Sequence, residues 1–308
     1  MEPENTVPDD SSLPRKGLLA IFMNHRGLRA GWRLLIFSAL VFVAILIFGT
    51  GAVLVMRKLG YPLGSFAPGS QFIGEVSVFL ATLVSTWLMS RIERRKLGEF
   101  GLPIKRSAVP NFFRGYFLWG FVPLSLLLLV MRLLHLFDFG SVALHRIDIF
   151  YWAGVWGLVF LSVAFVEEYL YRGYVLSTLA DGLGFWPAAI ILAAFFAYLH
   201  TSNPGETRMG IIGVAAFALF ASATIRRTGN LWLAVGAHAG WDWAQSYFYG
   251  VNDSGIQIQG HLLDPHISGP AWLTGGSAGP EGSVLTLALL VAMTALFLLR
   301  GGSKPVSA

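Results

Sequence analysis

Eight apolar blocks, separated by charged or turn-forming residues, organise this chain: 32–56, 71–90, 111–136, 152–180, 186–200, 209–225, 230–249 and 284–299. A hydrocarbon core about 30 Å thick is crossed by about 20 residues of helix at 1.5 Å each, the length scale of these blocks. Their hydrophobicity is continuous and does not alternate, so they predict helices and exclude a membrane β-barrel. The fifth and sixth are short for spans and read as tilted partners in a helical hairpin or as partly re-entrant segments. The expected fold is all-α: a polytopic transmembrane bundle of about eight spans, forming one domain over residues 32–300.

The flanks read differently. Residues 1–16, rich in Pro, Asp, Glu and Ser, are expected to be disordered. Residues 17–30 mix Leu18, Leu19, Ile21 and Phe22 with His25, Arg26 and Arg29, which predicts an interfacial amphipathic helix. Residues 1–31 are thus read as a cytoplasmic tail with that helix, and 301–308 as a second tail. The first block starts late and lacks a short apolar core ending in an A-x-A site, so it is expected to be a retained anchor and not a signal peptide. Two connections stand out: the basic stretch 91–110, and the segment 250–283, whose length and content of Gly, Pro, Asp and His mark an ordered lid or a mobile loop.

Composition agrees with the pattern. Of the 308 residues 55% are hydrophobic and 13% charged, about half the charge of an ordinary soluble domain. Mean hydropathy is +0.63, an integral membrane value. The net charge of +5 does not point to nucleic acid, because the basic residues sit at helix ends. With an inside N-terminus, 14 Lys and Arg fall on inside segments, among them Arg91, Arg94, Arg95, Lys96, Lys105, Arg106, Arg226 and Arg227, against Arg57, Lys58, Arg146 and Arg208 outside. Both termini are therefore expected in the cytoplasm, with the protein in the plasma (inner) membrane of a bacterium. There is no cysteine, which excludes disulfides and thiol catalysis.

Ionisable side chains inside apolar spans are costly and rare, so a cluster of them is a functional-site hypothesis by default. Glu167 and Glu168 stand side by side in the fourth block, with Arg172 four residues after Glu168. Residues four apart share a helix face, so Glu168 is expected to pair with Arg172, leaving Glu167, about 100° round the helix, for another partner. His200 ends the fifth block. Gly184, the centre of the predicted turn between these helices, lies 17 residues after Glu167 and 16 before His200, which places both about 25 Å from the turn. Spacing thus predicts contact. In the seventh block His238 and Asp242 are four apart, among Gly236, Ala237, Ala239 and Gly240, small residues that permit close helix approach.

The bland readings compete with each of these. The glutamates would lock helices through buried ion pairs, His200 would cap a helix at the interface, and the seventh block would be a packing motif with incidental polar residues. Glu75, Arg114 and Arg132 read as snorkelling or structural pairs, and His261 and His266 as surface residues. H-E-x-x-H, G-x-S-x-G and Walker A patterns are absent.

Taken in order, Glu167-Glu168 to Arg172, Phe196 to His200 and His238 to Asp242 resemble the E-E-x-x-x-R, F-x-x-x-H and H-x-x-x-N or D motifs of the CPBP intramembrane proteases, the CAAX protease and bacteriocin-processing group that includes type II CAAX prenyl endopeptidases. The resemblance spans about residues 150–250. The segments Leu273-Thr274-Gly275-Gly276 and Gly279-Pro280-Glu281-Gly282-Ser283 are similar to bacterial members, and Asp242 stands where the eukaryotic enzymes carry Asn.

The resemblance implies hydrolysis of a peptide or protein substrate in the bilayer. Glu167 would activate water and His200 help to hold it, while His238 and Asp242 stabilise the oxyanion or position substrate; Glu168, Arg172 and Phe196 are structural or orienting. A competing version makes Glu167, His200 and His238 ligands of a divalent metal such as zinc, with an open fourth position. Two other classes remain: a proton-coupled transporter, against which stands the lack of a visible inverted repeat, and a non-catalytic immunity or scaffold protein, which would not need both Glu167 and His200.

Overall fold

The computed structural model describes residues 19–24, 27–64 and 66–299. The expected disorder of 1–16, the tail 301–308 and the charges of Arg15, Lys16, Arg26, Arg300 and Lys304 lie outside the described residues.

Each of the eight apolar blocks is a helix. We label them α1 (Ala30–Leu59), α2 (Pro68–Ile92), α3 (Ala108–Leu133), α4 (Ile147–Leu183), α5 (Phe185–His200), α6 (Arg208–Thr228), α7 (Trp232–Asp242, continued by a wider turn Trp243–Phe248) and α8 (Val284–Leu299). Five of them, α1 to α4 and α6, are long and apolar enough to cross a membrane, and α5 and α8 are shorter apolar helices. The protein is an all-α membrane bundle. Its outer faces remain apolar, with Phe42, Ile47 and Leu54 on α1 each more than 60% exposed, surface that only lipid would cover.

The interior is built from small residues. Ala164 of α4, Ala188 and Ala189 of α5, Ala221 of α6 and Ala234 and Ala239 of α7 form one buried cluster with Tyr169 and Leu176. The closest approach is α7 against α3, where a methyl on Gly236 would overlap the Phe112 carbonyl and one on Gly240 the Tyr116 carbonyl. The small-residue face read in the seventh block therefore serves helix contact. Here α3 widens into a π-helical turn, Gly115–Phe121, just ahead of Pro123, which has no N–H to donate back along the helix.

Two features depart from the expected plan, and a third is one of the two alternatives expected for the segment 250–283. Residues 17–30 do not form one amphipathic helix: Leu19–Phe22 make a single turn, and Met23–Asn24 then pair antiparallel with Gly27–Leu28, Gly27 taking a left-handed φ of 101° that interrupts a helix. A short antiparallel pair joins β1 (Phe137–Val142) to β2 (Leu263–Ile267). The alternation Phe137-Asp138-Phe139 is too short to announce it. Finally, the segment 250–283 is an ordered cap: Gln245 donates to the Asn252 carbonyl (2.7 Å), Asn252 to the Ser277 carbonyl (3.0 Å), and Trp156 of α4 to the Gln259 carbonyl (2.8 Å).

Basic residues gather at one end of the bundle. The start of α1, the end of α2 and the end of α4 meet there, where Arg33 binds Asp181 at 2.7 Å and also Glu93, which accepts from Tyr174. The end of α6 and the start of α7 join them: Arg226 lies over Phe185 and the Leu231 amide donates to the Gly101 carbonyl.

Candidate active site

The turn between α4 and α5 consists of Gly184 alone, at φ 86°, a left-handed value that glycine adopts without strain. The two helices pack on each other over residues 176–183, Tyr171 and Arg172 reach Phe196 beyond that, and Glu167 and His200 line one cavity of about 360 Å³ together with His238 and Asp242 of α7. All four residues expected to carry chemistry are thereby brought together.

The adjacent carboxylates have different surroundings. Glu168 is fully buried; its Oε1 receives Arg172 Nη1 at 2.6 Å and the Nδ1–H of His238 at 3.0 Å. Its Oε2 is buried with no hydrogen-bond partner among the described residues. Glu167 faces the cavity with a quarter of its side chain exposed, and its Oε2 lies 3.6 Å from His238 Nε2. Asp242 Oδ2 stands 3.4 Å from the same nitrogen. Both nitrogens of His238 therefore face carboxylate oxygens.

Phe196 supports the site from below. The Arg172 guanidinium lies 4.9 Å from its ring centre, and the His200 ring packs against it at 4.5 Å. His200 Nδ1 is 2.9 Å from the Phe196 carbonyl, a pure acceptor, so Nδ1 carries the hydrogen and Nε2 is left as an acceptor.

The three residues of the zinc alternative, Glu167, His200 and His238, all line this cavity. Among the described residues no three His, Asp or Glu side chains stand so as to hold a metal ion, Glu167, His200 and His238 included. His238 Nε2 stands at ion-pair distance from two carboxylates, Glu167 and Asp242.

Three cavity residues escaped the sequence reading. Glu75 was expected to snorkel or pair structurally, yet it lines the cavity and has no hydrogen-bond or ion-pair partner among the described residues. Its intramembrane position was the available signal. Asp253 and Glu281 come from the cap 250–283 and had no helical spacing to reveal them. Ser246 donates to Asp253 at 3.0 Å, and the Ser254 amide donates to Glu281. Burial pushes the Asp253 carboxyl up to about 6, and burial together with Asp253 and Glu206 holds Glu281 well above the usual carboxylate range. Arg132 pairs with Asp138 at 3.4 Å, as expected; neither His261 nor His266 lines the cavity, and of the two His266 is exposed while His261 is half-buried, its Nδ1 2.8 Å from the Leu263 carbonyl.

No curated protein and no solved structure matches the chain. Glu75, Asp253 and Glu281 fall outside the one region for which a family match is found. That region, residues 149–244, holds Glu167, Glu168, Arg172, Phe196, His200, His238 and Asp242 and matches the family described as type II CAAX prenyl endopeptidase Rce1-like, so the chain carries a domain of that family.

Proposed function

We propose that the protein is an intramembrane endopeptidase in which Glu167 activates water for attack on a peptide bond of a membrane-associated substrate. The observation that carries this reading is the division between adjacent carboxylates: Glu168 is sealed in a network with Arg172 and His238, while Glu167 is open to the cavity. A carboxylate facing a water-accessible cavity beside histidines is equipped as a general base.

On this reading each group has a defined part in the reaction. Water gives a proton to Glu167 as its oxygen bonds to the carbonyl carbon, and His200 Nε2 accepts the other water hydrogen to orient the nucleophile. The carbonyl oxygen becomes an oxyanion beside the N–H of His238 Nε2, a preorganised donor of the kind that contributes most in acyl transfer. The C–N bond then breaks and Glu167 returns its proton to the amine. Glu168 fixes the ring of His238 through Nδ1, and Asp242 holds its other edge.

We infer that the cavity opens at the end of the bundle opposite the basic rim. Its loop residues, Phe66, Asn203, Asp253 and Glu281, come from connections at that end, and none comes from the basic connections. With Lys and Arg retained on the cytoplasmic side, both termini are cytoplasmic and the mouth faces away from the cytoplasm. Protease access to terminal tags in sealed vesicles tests the orientation.

The decisive measurement compares wild type and Glu167→Gln in matched proteoliposomes against a cleavable membrane peptide, with metal content determined in the same preparation. Loss of the base should lower the rate roughly 10²- to 10⁴-fold while peptide still binds. Equal rates would overturn the mechanism. Proton-coupled solute uptake without proteolysis, abolished by the same substitution, would replace it with a transporter.

A further inference from the structure

The cavity's ionisable lining is one-sided. Five carboxyl side chains line it, those of Glu75, Glu167, Asp242, Asp253 and Glu281, and among the described residues no lysine or arginine does. Histidines 200 and 238 are the lining's basic groups. Clefts of one charge sign with low-dielectric walls focus their field and concentrate ligands of the opposite sign. Between the carboxyls run apolar walls, including Trp156, Phe160 and Phe217, which suit a peptide's aliphatic parts.

Of these carboxyls, Glu75 stands apart. Glu167 and Asp242 face His238 at 3.6 and 3.4 Å, Asp253 takes the Ser246 hydroxyl, and Glu281 takes the Ser254 amide. Glu75 has no such partner among the described residues, although it lies within an apolar helix. One turn on, Phe79 packs on Phe165 at 6.0 Å and on Tyr169 at 5.8 Å, which fixes this stripe of α2 against the helix that carries Glu167. Gln71, one turn earlier, lines the cavity on the same face. An intramembrane carboxylate is costly until something pairs with it, and none of the described residues gives Glu75 a direct hydrogen bond or ion pair.

We infer that the cavity recognises a cationic side chain of its peptide substrate, and that Glu75 is the carboxylate that receives it. This rests on the peptidase reading for the cleavage step, but not for the binding itself. Glu75 is a specificity-determining residue: it selects a lysine or arginine near the scissile bond and discriminates against an acidic residue there. The side chain's aliphatic stem would run along the apolar wall while its charged head meets Glu75.

The test uses full-length protein in nanodiscs and single-span fluorescent peptides identical except for one juxtamembrane residue: lysine, norleucine or glutamate. Binding is read in the Glu167→Gln background so that cleavage does not intervene, and cleavage is read in the wild type. Lysine should bind about tenfold or more tighter than norleucine, the scale of one charge-assisted contact. Glu75→Gln should collapse that ratio, Glu75→Asp should keep most of it, and Glu75→Lys should turn the preference toward glutamate. An inverted preference is a readout that a misfolded variant cannot produce. Equal binding of the three peptides overturns the inference, as does a lysine preference that survives Glu75→Gln. Cleavage without charge preference would leave the peptidase reading standing and remove this one. Glu75-dependent lysine binding without cleavage would do the reverse.

Discussion

His238 donates its Nδ1–H to Glu168 Oε1 across 3.0 Å, and the same oxygen takes Arg172 at 2.6 Å. A single carboxylate oxygen thus ties α7 to α4 and fixes the ring whose other nitrogen faces Glu167 and Asp242. Glu168 lies at full burial, where a charge is tolerated only with good partners. Its work is to hold two cationic or donor groups in place, and that separates it from its neighbour.

Replacing Glu168 should therefore harm folding more than replacing Glu167. Glu168→Gln strands Arg172 as a buried charge, at a cost on the order of 3–5 kcal/mol. Glu167→Gln removes a partly exposed carboxylate and should change thermal stability little. The check is the unfolding midpoint of both variants in one detergent; comparable losses would contradict the division of roles.

Gly240→Ala should lower both stability and activity. The added methyl meets the Tyr116 carbonyl on α3, which is backbone and cannot turn aside. Helix α7 would have to move away, carrying His238 and Asp242 with it, and displacements near 1 Å can cost about 10²-fold in rate. Ala239→Gly on the same turn loses a buried methyl and the helix preference of alanine without creating an overlap, so a fall in turnover confined to Gly240→Ala marks the displacement of α7. A Gly240→Ala enzyme with normal turnover would show that α7 has slack the packing does not suggest.

The relation between sequence and site was legible where helical geometry carries it. Gly184 places a turn, spacings of 17 and 16 residues on its two sides bring Glu167 and His200 to one cavity, and four-residue spacing pairs Glu168 with Arg172. Asp253 was not legible, and Glu281 only as part of a segment that resembles bacterial family members, because both reach the cavity through cap hydrogen bonds such as Gln245 to Asn252, which no periodicity encodes. Glu75 was visible as an intramembrane charge, but its side of α2 is set by Phe79 packing on Phe165 and Tyr169. The strand pair β1–β2 joins residues far apart in sequence and has too little alternation to be read locally.

Phe196→Leu should uncouple stability from catalysis. Leucine fills most of the space but offers no ring face to Arg172 at 4.9 Å and no ring to His200 at 4.5 Å. A cation–π contact of this kind contributes roughly 0.5–2 kcal/mol, so the loss of stability should be modest. The turnover rate should fall by about tenfold or more as His200 loses its orientation. Turnover measured beside the unfolding midpoint separates the effects; a large stability loss with unchanged turnover per folded molecule would make Phe196 purely structural.

The cap should lose stability as pH rises through the weakly acidic range. Burial holds the Asp253 carboxyl at about 6, above its ordinary 3.8, with Glu281 also raised and facing it. Between these two values the folded protein keeps a proton that the unfolded chain has released. Folding then binds protons, so stability is full below the unfolded value, falls through this window and levels off above about 6. Asp253→Asn removes that group's titration. The difference in unfolding midpoint, wild type minus Asp253→Asn, should therefore decline from about pH 4 to about pH 6.5, with Glu281 extending the decline upward. A difference that stays flat or rises across that range would mean that Asp253 is ionised in the folded cap and held there by a partner.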